Sequence, residues 1–216
     1  MQKKIFLGVV IILLGLFLIT LSVVKQSAQI SVTPIEKPLV ESGATILPVG
    51  ETDPFYGNPG SAITVDEFFS FNCDSCASLH EQLISFINAH PDQVRLRSTG
   101  ILKTNWLGQP DDSLPFLALV CASSQEKYWP FLEKTFKLSS LDETNLKSLA
   151  KELEMNEAKF DACLKNETTK TEMQNKQTVL QSSGLSETPL VFVNNRRINL
   201  TDDFKIDVIL NGIIVK

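Results

Sequence analysis

Two cysteines three residues apart, Cys73 and Cys76, form the segment of this chain with the clearest chemical potential. They follow an apolar run that ends at Phe71, and a helical pattern begins at Cys73. Two thiols at this spacing can interconvert with a disulfide, and the same spacing can also bind zinc. A position where a strand ends and a helix begins favours the redox interpretation.

The two cysteines are expected to have unequal roles. Cys73 lies at the start of the predicted helix, where unpaired backbone N–H groups and the helix dipole lower the pKa of a thiol. Cys76 lies one turn further on, within an apolar stripe, and is predicted to be buried. Cys73 is therefore the expected nucleophile that forms a mixed disulfide, and Cys76 is the thiol that resolves it.

Glu67 is the second candidate for chemistry. Counting back from the cysteines in steps of two places Phe69, Glu67 and Val65 on one face of the strand. We expect a carboxyl group in this apolar row to be buried and desolvated, and able to carry a proton near Cys76. The alternative is that this part of the row faces solvent.

The zinc alternative lacks ligands. His80 lies four residues after Cys76, His90 is the only other histidine, and Cys121 and Cys163 are distant in the sequence. A single Cys-x-x-Cys pair is a weak metal site, so no metal is predicted. We expect His80 to be a partly exposed helix residue.

Thr188-Pro189 precedes an apolar strand pattern. Only about 5–6% of X-Pro bonds in folded proteins are cis, and proline is also common at sheet edges. The local pattern therefore does not predict a cis bond.

The elements that must position these residues are predicted from periodicity. The predicted order is a strand at 63–71, a helix at 73–89, a strand at 94–102, a block of helices between 113 and 183, strands at 190–193 and 196–200 around Asn194-Asn195, and a helix ending near Gly212. This order is that of an α/β domain with an all-helical insertion.

The N-terminal segment predicts export. Residues 5–24 carry no charge, and twenty helical residues span about 30 Å, the thickness of the hydrocarbon core of a bilayer. An uncleaved transmembrane signal anchor is therefore predicted at residues 5–24. Lys3 and Lys4 precede it, so residues 1–4 are expected to stay cytoplasmic and the residues after the anchor to be exported. Residues 25–52 are predicted to be a linker. A cleaved signal peptide is the alternative for the apolar segment, although no good cleavage site follows it.

Composition narrows the function classes. The net charge of −5 and the lack of basic clusters argue against a nucleic-acid partner. Four cysteines in an exported protein are compatible with disulfides, and they permit three pairings.

Several ordered motifs resemble those of the DsbA-type thiol–disulfide oxidoreductases, in the branch often found as membrane-anchored exported proteins. The resemblance covers nearly all of residues 53–216. Its motifs are the stretch from Asp53-Pro to Cys73-x-x-Cys76, then Cys121-Ala-x-x-Gln-x-Lys-Tyr-Trp129, Phe160-x-x-Cys163-Leu and Gly184-x-x-x-Thr188-Pro189.

The resemblance implies a thioredoxin fold with a helical insertion at about residues 110–183. It implies Cys73 as nucleophile, Cys76 as resolving thiol and Glu67 as buried acid. It also implies that Thr188 and a cis Pro189 form the loop beside the cysteines that binds substrate backbone. No cofactor is implied beyond the redox-active disulfide.

The second cysteine pair is interpreted through the same resemblance. Cys121 and Cys163 fall on helices expected to be neighbours in the insertion, so a structural disulfide between them is expected. Two buried free thiols, or a second redox relay, are the alternatives.

The predicted function is formation of disulfides in exported proteins by an anchored enzyme that a quinone-linked membrane partner reoxidises. A reductase or isomerase kept reduced by an electron donor is one alternative, and a non-catalytic peptide-binding module or chaperone is another. Relatives commonly carry Pro followed by His, Tyr or Phe between the cysteines, where this chain has Asp74 and Ser75. Asp74 places negative charge near Cys73 and raises the pKa of that thiol, which predicts a milder oxidant.

Overall fold

The structure, a computed structural model, describes residues 54–102, 113–200 and 205–214. The predicted transmembrane segment at residues 5–24 and the linker at 25–52 lie outside the described residues. Within the described ranges, no helix combines the length and apolar character needed to cross a membrane.

The described residues form one five-stranded sheet with helices on its faces. In chain order the elements are β1 Phe55–Tyr56, β2 Ile63–Phe69, α1 Asp74–Ala89, β3 Val94–Gly100, α2 Ser113–Ser123, α3 Tyr128–Thr135, α4 Glu143–Glu152, α5 Glu157–Leu164, α6 Glu167–Ser182, β4 Leu190–Val193, β5 Arg196–Ile198 and α7 Ile206–Ile214. The helices α2 to α6 interrupt the chain between β3 and β4, as predicted for an α/β fold with a helical insertion.

The sheet has the order β1-β3-β2-β4-β5, with β2 at its centre. Strands β2 and β3 are parallel, and the remaining neighbours are antiparallel. A parallel pair needs a crossover connection, which α1 supplies. β2 therefore leads into α1, and the two cysteines lie just after the end of this central strand.

Alternation along β2 divides the core between its two faces. Val65 packs in a cluster with α1 and α7, and Phe69 packs against the inserted helices. Phe68 points the other way, into a cluster with Leu180 of α6 and Phe192 of β4. All seven residues of β2 are at least partly buried, although only four of them are apolar: Ile63, Val65, Phe68 and Phe69.

Two sequence predictions were wrong in detail. Strand β1 was not predicted, because two residues carry no periodicity. It is held by tertiary contacts: Trp129 Nε1 donates to the Phe55 carbonyl at 3.1 Å, and the rings of Tyr56 and Trp129 pack edge to face. The final helix passes Gly212 and ends at Ile214, because its apolar side packs on the α1 cluster and outweighs the low helix propensity of glycine.

The remaining turns follow the sequence closely. Asn194 and Asn195 adopt φ values of 48° and 62°, as the predicted turn between β4 and β5 requires. Gly184 ends α6 with φ of 80°.

Candidate active site

Cys73 and Cys76 are joined by a disulfide at the N-terminus of α1. Cys73 is the N-cap residue, with extended backbone geometry (φ −153°, ψ 97°), and its sulfur accepts a hydrogen bond from the Cys76 N–H at 3.2 Å. Ser75 Oγ lies 3.4 Å from the same sulfur, and it is the donor because the bonded sulfur has no proton. The N-terminus of the helix thus directs donors at Cys73, the geometry that stabilises a thiolate there.

The two sulfurs differ in accessibility. Cys73 is partly buried, whereas Cys76 is 0% exposed and belongs to an apolar cluster with Phe69 and Phe71. An incoming thiolate can therefore reach Cys73 more readily than Cys76. The observed burial agrees with the sequence prediction that Cys76 is the more buried of the two.

Glu67 is 0% exposed, so the prediction of a buried carboxyl group is confirmed. Its oxygens have unequal surroundings. Oε2 accepts a hydrogen bond from the Ser98 hydroxyl on β3 and lies 2.7 Å from Nδ1 of His80. Oε1 is buried and has no hydrogen-bond partner among the described residues.

His80 is the residue whose environment the sequence reasoning missed. The prediction that it is partly exposed was wrong: it is 2% exposed and contacts Glu67. The signal was present, because residues three and four positions apart share a helix face. His80 lies four residues after Cys76 and three before Leu83, both of which were assigned to the buried stripe.

Opposing effects act on His80. Burial alone lowers the pKa of His80, but the charge of Glu67 and its hydrogen bond, aided by Glu133 and Glu81, outweigh burial. The pKa of His80 is therefore raised above its ordinary value of 6.5. The Glu67–His80 pair is the buried ionisable contact of this site.

The Thr188-Pro189 bond is cis, as the family resemblance implied and the local pattern did not. Leu190, the next residue, pairs with Phe68 near the end of β2. Since β2 runs from there toward the cysteines, the cis-proline loop lies at the same end of the sheet. A cleft of about 520 Å³ is lined by this loop and by residues 197–200, at and just after the end of β5.

Cys121 and Cys163 form a second disulfide that joins α2 to α5. Cys121 is fully buried in the cluster of inserted helices, and Cys163 is partly buried. The structure therefore has the pairing of neighbouring helices that the resemblance implied.

Metal ligation has no candidate in the part of the chain that the structure describes. There, no group of three or more His, Cys, Asp or Glu side chains is arranged to hold an ion. His80, the histidine nearest to the cysteines in sequence, is engaged with Glu67.

The chain is similar to known proteins of the thioredoxin fold. A family profile described as thioredoxin matches residues 50–209. No curated protein sequence matches the chain significantly. Among solved structures, BdbD from Bacillus subtilis in its oxidised form is similar, with 20% identity and a TM-score of 0.64 over 81% of this chain and 97% of that one.

Two further solved structures are similar to the chain. DsbA from Chlamydia trachomatis has 16% identity and a TM-score of 0.61, over 81% of this chain and 98% of that one. A thioredoxin-like oxidoreductase from Silicibacter pomeroyi has 21% identity and a TM-score of 0.59, over 76% of this chain and 92% of that one. At these identities the likeness establishes the fold.

Proposed function

Since the chain belongs to the thioredoxin family, whose profile covers residues 50–209, we propose that it is a thiol–disulfide oxidoreductase with Cys73–Cys76 as its redox-active pair. One observation carries the proposal. Cys73 caps α1 and accepts a hydrogen bond from the helix, while its partner Cys76 is completely buried. This arrangement provides one attackable sulfur and one protected sulfur.

The exchange reaction follows from this asymmetry. In the oxidising direction, a substrate thiolate attacks Cys73 Sγ, the Cys73–Cys76 bond breaks, and Cys76 leaves as a thiolate that takes up a proton. A second substrate thiolate then attacks the substrate sulfur of the mixed disulfide, and Cys73 leaves as a thiolate. The substrate is oxidised to a disulfide and the enzyme is left reduced. In the opposite direction, Cys73 attacks a substrate disulfide and Cys76 resolves the mixed disulfide.

Substrate binding is assigned to the loop of Thr188 and Pro189. The cis bond turns the chain just before β4, at the end of the sheet from which β2 leads to the cysteines. The cleft along this loop leaves room for an extended substrate segment.

Disulfide formation is the proposed direction. Donors from Cys76 N–H and Ser75 stabilise a Cys73 thiolate, and a stabilised reduced form makes a stronger oxidant. Asp74 is exposed in the first turn of α1 and acts against this effect. The Asp74 carboxylate therefore favours a milder oxidant. Because of this residue, reduction or isomerisation of disulfides is the second candidate function.

The proposed location is outside the cell membrane, on the extracytoplasmic side. The uncharged segment at residues 5–24 supports a signal anchor, and residues 25–52 supply a tether. The proposed substrates are exported proteins that carry thiols, and a quinone-linked membrane protein is the proposed reoxidising partner.

Equilibration of the full chain with glutathione buffers tests both the activity and its direction. The proposal expects a reversible Cys73–Cys76 couple, and disulfide formation in a reduced peptide with two cysteines. A potential well above that of the glutathione pool supports oxidation, and one below it supports reduction. Exchange activity that persists in Cys73→Ser would refute the proposal; the matched variant Ser123→Ala, at the end of α2, should retain full activity.

A further inference from the structure

The Glu67–His80 pair lies beside the buried cysteine on the inner side of α1. His80 follows Cys76 by four residues, so the two side chains are neighbours on one face of the helix. Glu67 reaches this face from β2, with its Oε2 atom 2.7 Å from His80 Nδ1. Cys76, His80 and Glu67 are all essentially removed from solvent.

Each partner of this pair retains one buried polar atom without a hydrogen bond. Among the described residues, neither Oε1 of Glu67 nor Nε2 of His80 has a partner. An unpaired buried polar atom costs free energy and calls for an explanation such as a redox or catalytic role. Each group therefore has one hydrogen-bonded atom and one buried atom without a hydrogen bond.

The surroundings connect His80 with a cleft. A cavity of about 370 Å³ lies between α1 and α3, and His80 is part of its lining. The titratable and charged groups that face His80 are Glu67 from β2, Glu81 on α1 itself, Glu133 from α3 and, at the same cleft, Lys137 just after α3. The ring is flanked by Trp129 and Phe136, which leave its faces apolar.

We propose that His80 transfers protons between Glu67 and this cleft, so that Glu67 and His80 serve Cys76 as one relay. The inference rests on the proposed function and adds His80 as a positioning residue, since it acts through Glu67. Without His80, Glu67 would have to exchange its proton with solvent from a site that solvent does not reach. With His80, the proton has a path of two transfers, from Glu67 to the ring and from the ring to the cleft.

The relay starts with the His80 ring in its neutral form, with its proton on Nε2. When Cys76 resolves a mixed disulfide, its thiol gives its proton to Glu67, and the Cys76 sulfur attacks Cys73. The Cys73–substrate bond breaks, and the substrate leaves as a thiolate that is protonated by solvent. Glu67 passes its proton to Nδ1 of His80, and the resulting imidazolium ring releases its Nε2 proton toward the cleft. When Cys76 later leaves as a thiolate, the same transfers run in reverse and return the ring to its first tautomer. The electron pair moves only among the sulfurs.

A pH profile of the resolving step tests the relay. His80→Asn keeps an N–H donor near the position of Nδ1 but cannot pass a proton. The full chain is reduced, mixed with oxidised glutathione and quenched with acid, so that the decay of the mixed disulfide on Cys73 is followed from pH 5 to 9. We expect the variant to resolve about tenfold more slowly at neutral pH and to lose one ionisation from the profile.

His90→Asn is the matched control. His90 is the other histidine of the chain and lies at the far end of α1, where its Nδ1 contacts the Phe86 carbonyl at 2.9 Å. Its profile should coincide with that of the wild type. An unchanged profile in His80→Asn would overturn the inference.

A second measurement needs no substitution at position 80. In the His90→Asn chain, His80 is the remaining histidine, so its ring resonances can be titrated without ambiguity. We expect the titration midpoint to differ between the disulfide and the dithiol states, because a proton on Cys76 and a proton on His80 are then coupled. Identical midpoints would overturn the inference even if His80→Asn failed to fold.

The two proposals fail in different ways. A wild-type chain without exchange at Cys73 at any pH refutes the proposed function. Exchange that is normal and equally pH-dependent in the wild type and in His80→Asn refutes the relay alone.

Discussion

The two disulfides have the same covalent bond but opposite positions on their helices. Cys73 caps the N-terminus of α1, and its partner is three residues away. Cys121 and Cys163 lie in the last turns of α2 and α5, and they are 42 residues apart. A helix N-terminus stabilises a thiolate, whereas unpaired carbonyl groups at a C-terminus destabilise one.

Exposure does not separate the two bonds. Each has one fully buried cysteine, Cys76 or Cys121, and one partly buried cysteine, Cys73 or Cys163. Both buried cysteines belong to the same apolar cluster. The difference lies instead in the helix terminus and in the Glu67–His80 pair, whose histidine lies on α1 four residues after Cys76. We therefore infer that the electrostatic environment of the sulfur distinguishes the proposed redox-active bond from the proposed structural one.

The largest expected difference is in selective reduction. Limiting dithiothreitol should open Cys73–Cys76 completely before Cys121–Cys163 opens, because Cys73 is the better leaving thiolate. Differential alkylation followed by mass spectrometry of the peptides identifies which cysteines are free. Simultaneous opening of both bonds would remove the distinction and favour a second redox relay.

Removing the structural bond should cost stability rather than activity. The double variant Cys121→Ala/Cys163→Ala releases a loop closed by residues 42 apart, for which chain entropy predicts a loss of about 4 kcal/mol. Denaturant unfolding measures this loss, and exchange with glutathione should stay at the wild-type rate. Cys73→Ala/Cys76→Ala should lose less stability, because its loop spans three residues, and should lose all activity.

The Glu67–His80 pair should make the active-site side sensitive to pH. Folding raises the pKa of His80 above 6.5, so the protonated ring stabilises the fold below about pH 6.5. This contribution disappears as the pH rises through the higher, folded-state pKa, at no more than about 1.4 kcal/mol per pH unit for one proton. Unfolding midpoints of the wild type and His80→Asn, measured from pH 5 to 9, should therefore converge at high pH.

The same unfolding measurement on Cys121→Ala/Cys163→Ala should show no such convergence. The loss of stability in this variant, relative to the wild type, is expected to be constant from pH 5 to 9. A constant difference for His80→Asn as well would show that its charge does not stabilise the fold.

The smallest expected effect concerns Asp74. Because this side chain is exposed, Asp74→Asn should lower the pKa of Cys73 by about half a unit or less, and raise the redox potential by about 15 mV or less. Ultraviolet absorbance of the thiolate during a pH titration measures the first quantity. Asp207→Asn is the control, because Asp207 is also an exposed carboxylate in the first turn of a helix, α7. It should leave the pKa of Cys73 unchanged. A wild-type Cys73 pKa below about 5 would contradict the interpretation of a mild oxidant.

Most elements of the fold could be predicted because their apolar residues recur at the spacing of a helix or a strand. The central strand, α1, the inserted helices and the β4–β5 turn all lie close to their predicted positions. Strand β1 could not be found, since it consists of Phe55 and Tyr56 and depends on Trp129, more than seventy residues away. His80 was wrongly predicted to be partly exposed, because its buried partner, Glu67, lies on another element.

The sequence by itself determined the local part of this site. Cys73 at a helix start, Cys76 one turn inside and Glu67 on the inner face of β2 all follow from backbone periods that neighbouring residues share. Tertiary structure alone decided that His80 contacts Glu67, that the Pro189 loop adjoins the end of β2, and that Cys121 meets Cys163. These contacts join residues on different elements, and their distances depend on how the elements pack rather than on the spacing of residues within them.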